Sequence, residues 1–131
     1  MAIYNQTPSP PGILIADKDE QLFSIYTKFF NRRGNTVYLA VGGESAIQRY
    51  HDHSTEIALV IIEIQMPGMD GLTLRHAIKT LDPQLPVIAV SIVDEYNTAF
   101  SDNSRLNEEF NEIIRKPFHP DILHKIVDQY L

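Results

Sequence analysis

Four side chains with ionic or hydrogen-bonding chemistry each lie at or just after the end of a short apolar run: Asp17, Glu63, Ser91 and Lys116. Carboxylate oxygens are ligands that Mg²⁺ prefers in proteins. A hydroxyl and an ammonium donate hydrogen bonds and suit an anionic group. If the fold brings these four side chains together, the sequence predicts a polar site with two acids, a hydroxyl and a lysine.

Short apolar runs alternate with segments of helical spacing along the chain. Such runs are typical of strands buried on both faces, and here they cover 13–16, 37–41, 57–62, 86–90 and 113–114. Helical spacing predicts a Phe-rich first helix stopping near Gly34, a third helix capped by Asp70, and a closing helix around residues 122–130. A fourth helix, between Asp94 and Glu112, is expected to be short because its apolar positions are sparse.

Five strands alternating with helices predict a doubly wound α/β fold with a five-stranded parallel sheet. Ligand sites in such sheets lie outside the carboxyl ends of the strands, where the strand order reverses. The four polar side chains should therefore converge at one edge of the sheet.

The composition narrows the function classes. The chain has 131 residues, a formal charge of −6 and no cysteine, which predicts one cytoplasmic domain and argues against a nucleic-acid-binding face. No apolar run is long enough for a membrane span. Residues 1–11, with three prolines, are expected to form an irregular arm, and residues 12–131 the folded domain.

The loop Met66-Pro67-Gly68-Met69-Asp70-Gly71 and the turn Lys116-Pro117-Phe118 carry a specific resemblance. Over about residues 12–131 the chain resembles the receiver domain of response regulators. The resemblance implies a flavodoxin-like (βα)₅ fold, strand order 2-1-3-4-5, and a cis peptide before Pro117.

The resemblance also implies residue roles in phosphorelay signalling. Glu63 matches the phosphoacceptor, and Asp17 the first acid of the pair after strand one. Ser91 matches the hydroxyl that contacts the phosphoryl group, and Lys116 the lysine that pairs with it. Gln65 matches the residue whose backbone carbonyl binds metal. These roles make the domain a signalling module and not an enzyme.

Three departures from the family pattern bear on the mechanism. Lys18 stands where the family has its second metal-binding acid, Glu63 replaces the phosphoacceptor aspartate, and Ile113 falls at the aromatic switch position. An insertion between Ser91 and Lys116 is also expected. The sequence leaves two orientations of the Lys18 side chain nearly equally open, into the pocket or toward solvent.

Metal binding should be weak or absent, and no cofactor is expected. The formal charges of Asp17, Glu63, Lys18 and Lys116 cancel, and Mg²⁺ about 4 Å from an ammonium costs at most on the order of 8 kcal/mol at an effective dielectric of about 20. Any residual site would use Asp17, Glu63 and the Gln65 carbonyl. Asp19 offers another oxygen, but an N-cap role is favoured.

Glutamate extends the carboxylate by about 1.5 Å, enough to cost roughly 10²-fold in a reaction governed by positioning. The longer side chain is expected to reach Ser91 and Lys116 directly. The sequence thus favours a phosphorylation-independent pseudo-receiver. Its expected partners are a histidine kinase, a phosphotransfer protein or an output protein, bound through the face of the fourth helix, fifth strand and closing helix.

Three alternatives stay open. The first is a true phosphoacceptor, using Glu63 or Asp19 with a degenerate Mg²⁺ site. The second is an enzyme on a flavodoxin-like scaffold, against which the sequence has no glycine-rich phosphate loop and no nucleophile–base pair. The third is an interaction domain of a larger kinase or regulator system.

Overall fold

The computed structural model describes residues 10–92 and 108–131. Their elements follow in the order β1 (Gly12–Ala16), a 3₁₀ turn (Glu20–Leu22), α1 (Phe23–Arg32), β2 (Thr36–Ala40), α2 (Gly43–His53), β3 (Ile57–Glu63), α3 (Gly71–Leu81), β4 (Val87–Ile92), β5 (Glu112–Lys116) and α4 (Pro120–Tyr130). Most of the predicted fourth helix and of the N-terminal arm lies outside the described residues. The helix α4 is therefore the closing helix of the sequence prediction.

The five strands form one parallel sheet in the order β2-β1-β3-β4-β5. This is the strand order 2-1-3-4-5 that the resemblance implied. The chain reverses its direction of winding after β2, so the carboxyl ends of β1 and β3 flank the switch point where doubly wound sheets place their sites.

Both faces of the sheet are covered, which explains the continuous apolar runs. Alternate residues of each central strand enter two different buried clusters. Leu14, Val60 and Ile62 pack in one cluster, with α2 and α3. Ile15 and Ile61 pack in the other, with α1 and α4.

The helices begin and end at residues suited to those positions. The Asp70 carboxylate accepts a hydrogen bond from the Thr73 backbone N–H at 2.8 Å and caps α3, which confirms the predicted N-cap. Gly34, with a φ of 81°, follows the end of α1 in a conformation that favours glycine, so the predicted stop is also confirmed. The Lys116–Pro117 peptide is cis, as the resemblance implied.

The sequence prediction made the last two strands too short. Strand β4 continues to Ile92, and β5 spans Glu112–Lys116 instead of two residues, because the two strands pair without a break from Ile88↔Glu112 to Ile92↔Lys116. Since β5 is an edge strand, polar and charged residues can occupy most of its positions, and an apolar run underestimates its length.

No helix among the described residues is long and apolar enough to cross a membrane.

Candidate functional site

The carboxyl ends of four parallel strands bring the predicted side chains to one edge of the sheet. Asp17 follows β1 directly, and Glu63 and Lys116 are the last residues of β3 and β5. Ser91 is the penultimate residue of β4, where it pairs with Arg115 of β5. The convergence expected from the sequence is therefore present in the fold.

The centre of the site is an ammonium held between two buried carboxylates. Lys116 Nζ lies 2.9 Å from Asp17 Oδ2 and donates hydrogen bonds to Asp17 Oδ1 and Glu63 Oε1, both at 3.1 Å. The side chains of Asp17 and Glu63 are only 1% exposed, and that of Lys116 is 11% exposed. The three groups form a largely buried ion cluster, which we call the Asp17–Glu63–Lys116 cluster.

Lys18 contacts the same glutamate in two ways. Its backbone N–H donates a hydrogen bond to Glu63 Oε2 at 2.9 Å, and its Nζ lies 3.9 Å from Glu63 Oε1. Its side chain is 38% exposed, so the ammonium sits at the mouth of the site and not in its floor. Of the two orientations that the sequence left open, the structure has the one toward the pocket.

The two aspartates after β1 have separate roles. Asp17 Oδ1 accepts a hydrogen bond from the Asp19 backbone N–H at 2.8 Å. The Asp19 carboxylate accepts one from the Gln21 N–H at 3.0 Å and caps the 3₁₀ turn before α1. The predicted capping role of Asp19 is confirmed, and its carboxylate is directed to that turn.

Ser91 does not make the predicted contact with Glu63. Its hydroxyl is fully buried and donates a hydrogen bond to the Ile92 carbonyl oxygen at 3.1 Å, and no bond to Glu63 is found among the described residues. A serine inside a strand can satisfy its hydroxyl with a neighbouring backbone group. Residue type and register predicted the position of Ser91 but not the direction of its O–H bond.

Ile113 and Gln65 make no polar side-chain contact with the ion cluster among the described residues. Ile113 lies on β5, partly buried against the α2–α3 cluster, and offers neither a ring nor a hydroxyl. Gln65 is half-buried in the loop after β3, and no hydrogen bond of its side chain is found within the described ranges. The metal-binding role that the resemblance implies for its backbone carbonyl stays a prediction.

Burial and close charges alter the proton affinities at the site. Burial, together with the hydrogen bond and charge of Asp17, raises the pKa of Glu63 to about 7 against the lowering effect of the Lys18 N–H and the Lys116 ammonium. Burial lowers the pKa of Lys116, but its bonds to the two carboxylates outweigh this, so its pKa is raised overall. Lys116 therefore stays protonated, and Glu63 is poised near neutrality.

Tyr26 of α1 lies near the site but was not among the site residues predicted from the sequence. The side chain is buried, and within the described part of the chain its hydroxyl has no hydrogen-bond partner. Burial and the charges of Asp17, Glu63 and Asp19 raise the pKa of Tyr26 far above its usual range. A tyrosine on the face of α1 that otherwise carries Phe29 and Phe30 was the available signal.

The ligand set for a divalent cation is incomplete. Among residues 10–92 and 108–131, no three His, Cys, Asp or Glu side chains gather in a way that could hold a metal ion. The two acids of the site are already bound by Lys116, and Lys18 occupies the third corner. A metal ion at this position would meet two carboxylates that both contact Lys116.

Comparison with known proteins shows the family to which this chain is similar. The family model "Response regulator receiver domain" matches residues 13–128. The transcription factor SKN7 of Saccharomyces cerevisiae is 30% identical over 91% of this chain, which spans 18% of SKN7.

Two solved receivers have the same fold. The NtrX receiver domain of Brucella abortus is 27% identical, with a TM-score of 0.77, and the match covers 91% of this chain and 97% of that one. The response regulator TrrA of Thermotoga maritima, solved in complex with Mg(2+)-BeF, is 26% identical, with a TM-score of 0.76 and coverage of 92% and 99%.

Proposed function

The chain belongs to the response-regulator receiver family, and we propose that within this family it is a pseudo-receiver whose signalling does not depend on phosphorylation. Receiver domains work with histidine kinases and phosphotransfer proteins, and they typically bind Mg²⁺ at the phosphorylation site. The observation that carries the proposal is the Asp17–Glu63–Lys116 cluster, with Lys18 beside it, in the place of a metal-binding acid pair.

Glu63 is poorly placed to attack phosphorus. Its Oε1 faces the ammonium groups of Lys116 and Lys18, and its Oε2 accepts the Lys18 N–H bond. Phosphoryl transfer needs the nucleophile in line, with charge neutralised on the transferring group. A carboxylate about 1.5 Å longer than aspartate, held by two hydrogen bonds and a second ammonium 3.9 Å away, lacks that freedom, at a cost of roughly 10²-fold in rate.

Mg²⁺ binding is proposed to be weak. Of the three carboxylates expected in a receiver, two are present, and the Lys116 ammonium forms an ion pair with each of them. A divalent cation would have to enter beside the Lys18 ammonium, which lies 3.9 Å from Glu63 Oε1. The ammonium groups of Lys116 and Lys18 supply the positive charge that a metal ion would otherwise bring. They offer no oxygen ligands to a metal ion.

The output is proposed to be constitutive. Ile113 cannot act as an aromatic switch, and the Ser91 hydroxyl is bonded to its own strand, so neither of these two side chains is set to transmit a phosphorylation event. The partners proposed are a histidine kinase, a phosphotransfer protein or an output protein, bound through the face that includes β5 and α4.

One alternative has specific support. Asp17, Glu63 and Lys116 match the family's acid, phosphoacceptor and lysine by the sequence resemblance, and Lys116 Nζ lies 3.1 Å from an oxygen of each acid. A receiver that accepts phosphate slowly with a degenerate Mg²⁺ site would use the same three residues.

Intact-mass spectrometry after incubation with acetyl phosphate and Mg²⁺ separates the two. The wild type and Glu63→Asp are expected to show no phosphoryl adduct, whereas Glu63→Asp with Lys18→Asp regains one, because the second change restores a metal-binding acid. Glu63→Asp with Lys125→Asp, which makes the same charge change on an exposed lysine of α4 outside the site, is the matched control. A stoichiometric, hydroxylamine-sensitive adduct on the wild type would establish the slow phosphoacceptor instead.

A further inference from the structure

A groove of about 760 Å³ runs between α1 and α4 from the surface to the ion cluster. One wall is the α1 face with Ile25, Lys28 and Phe29, and the other includes Leu123 of α4. Glu63 and Lys116 contribute to its lining, so the groove reaches the centre of the candidate site. Its volume is within the range of sites that enclose small ligands.

The lining is largely apolar and not fully covered. Phe29, Phe118 and Leu123 lie along it, and Ile25 and Ile92 remain 47% and 38% exposed. Isolated exposed apolar residues are ordinary, but a concave apolar lining with a few charged groups is typical of a ligand site.

The charge of the groove is opposite to that of the chain. The chain has a formal charge of −6, yet Lys28 and Arg32, one turn apart on α1, both line the groove and are exposed. Neither has an ion pair within the described ranges. The acids in the same lining are occupied: Asp19 caps the 3₁₀ turn, and Glu63 belongs to the ion cluster. The groove therefore complements an anion.

We propose that this groove binds a small amphipathic organic anion. Its apolar body lies between Phe29, Phe118 and Leu123, and its carboxylate, sulfonate or phosphate group pairs with Lys28 and Arg32. A small molecule is favoured over a protein segment because two helices wall the groove and the buried cluster closes its inner end. The inference goes beyond the proposed function, since a pseudo-receiver needs no ligand, and either can fail without the other.

Anilinonaphthalene sulfonate, an apolar body with one anionic group, is the probe, and neutral phenylnaphthylamine is its matched analogue. Fluorescence titration and amide chemical shifts are measured on the full chain. We expect saturable binding that shifts the amide resonances of Ile25, Phe29 and Leu123. The anionic probe should bind about tenfold more tightly than the neutral analogue, because two exposed ion pairs together contribute about that much.

Two kinds of variant test the charge and the shape of the groove. Lys28→Gln and Arg32→Gln should each weaken binding of the anion by about threefold and leave the neutral analogue unchanged, whereas Arg49→Gln, on an exposed position of α2, should affect neither. Ile25→Trp should fill the groove and abolish binding of both probes. Leu81→Trp, the control for a new surface tryptophan, should not.

Several results would overturn the proposal. The wild type could bind the two probes with equal affinity, show no saturation, or show amide shifts only outside the groove. Alternatively, probe binding could stay unchanged in the charge variants and in Ile25→Trp. Preserved amide spectra of the variants establish that each one is folded, so a loss of binding is assigned to the groove.

Discussion

The two buried carboxylates depend on a single ammonium, that of Lys116, for most of their compensating charge. Buried charges are tolerated only when they are paired, and removing one partner leaves the others exposed to the full cost of desolvation. The cluster has two acids within hydrogen-bond distance of Lys116 Nζ, so one substitution leaves both incompletely paired.

Lys116→Met should therefore lower the free energy of unfolding by about 3 kcal/mol near neutral pH. Urea denaturation of the variant and the wild type measures this difference. Lys125→Met, at an exposed position of α4, should stay within about 0.5 kcal/mol of the wild type. Adding Glu63→Gln to Lys116→Met should restore part of the loss, and no loss in Lys116→Met would show that the cluster contributes nothing to stability.

The raised pKa of Glu63 makes stability depend on pH in a defined direction. The native state holds a proton on Glu63 up to about pH 7, whereas the ordinary value of 4.5 applies to the unfolded chain. Because the native state binds the proton more tightly, this contribution is complete below about pH 4.5 and is lost as the pH rises to about 7. Asp17, Lys18 and Lys116 face the same carboxylate and set the size of the effect.

Between about pH 5 and pH 8, the free energy of unfolding of the wild type should fall by about 2 kcal/mol relative to Glu63→Gln, which cannot titrate there. The measurement is urea denaturation of both proteins at each pH. Taking the difference between the two removes contributions from all other titrating groups to first order. A difference that does not change, or that rises with pH, would contradict the raised pKa.

At the scale of secondary-structure elements, the connection from β3 to α3 fixes where the Glu63 side chain begins. The Gly71 N–H donates a hydrogen bond to the Ile64 carbonyl at 2.8 Å, and a Cβ added at Gly71 would lie 2.5 Å from the Glu63 carbonyl oxygen. The obstacle is backbone and cannot rotate away. The start of α3 is therefore packed directly on the end of β3.

Gly71→Ala should lower the free energy of unfolding by about 2 kcal/mol, because overpacking against backbone exceeds the gain in helix propensity. Thermal or urea unfolding measures the loss, and the amide shifts of Glu63 and Lys18 should move with it. Gly42→Ala, where an added Cβ meets nothing within 4 Å, should cost less than about 1 kcal/mol. Equal effects at the two glycines would show that close packing at Gly71 is not limiting.

The bounds of strands were predicted well where nearly every residue of the strand is buried. The core strands β1 and β3 are buried throughout, apart from partly covered Ala58, so their apolar runs nearly coincide with the strands. At the edge of the sheet, β5 buries only Ile114 and is held by pairing with β4. Backbone pairing leaves no mark in the residue types, so its length could not be read from the sequence.

At the scale of the whole molecule, the site requires no added ligand to balance its charges. Lys116 is the last residue of β5 and Lys18 lies in the loop after β1, so they are 53 and 45 residues from Glu63 in the sequence. The folded chain thus supplies the counter-charge that a metal ion would otherwise bring, and we expect it to occupy one state with or without Mg²⁺.

About 10 mM Mg²⁺ should raise the melting temperature of the wild type by less than about 2 °C, since a dissociation constant above that concentration adds under about 0.4 kcal/mol. Glu63→Asp with Lys18→Asp should show a larger rise, because it regains a third carboxylate. Scanning calorimetry with and without chelator gives both values. A larger rise in the wild type than in the double variant would refute weak metal binding.

The sequence by itself determined the fold class, the strand order implied by the resemblance, and the edge of the sheet where the site lies. Buried strands and helices leave periodic apolar patterns, and parallel strands must place their carboxyl ends together. The caps at Asp19 and Asp70 and the stop at Gly34 were equally readable, because each depends on residues close in sequence.

Only the tertiary structure decided how the charges are paired. It directs Lys18 toward Glu63, places Lys116 between two acids, turns the Ser91 hydroxyl to its own backbone, and buries the hydroxyl of Tyr26. These outcomes depend on rotamers and distances of about 1 Å between residues far apart in the chain. Residue types and spacing fix neither quantity, because a long side chain at a given position can reach several partners.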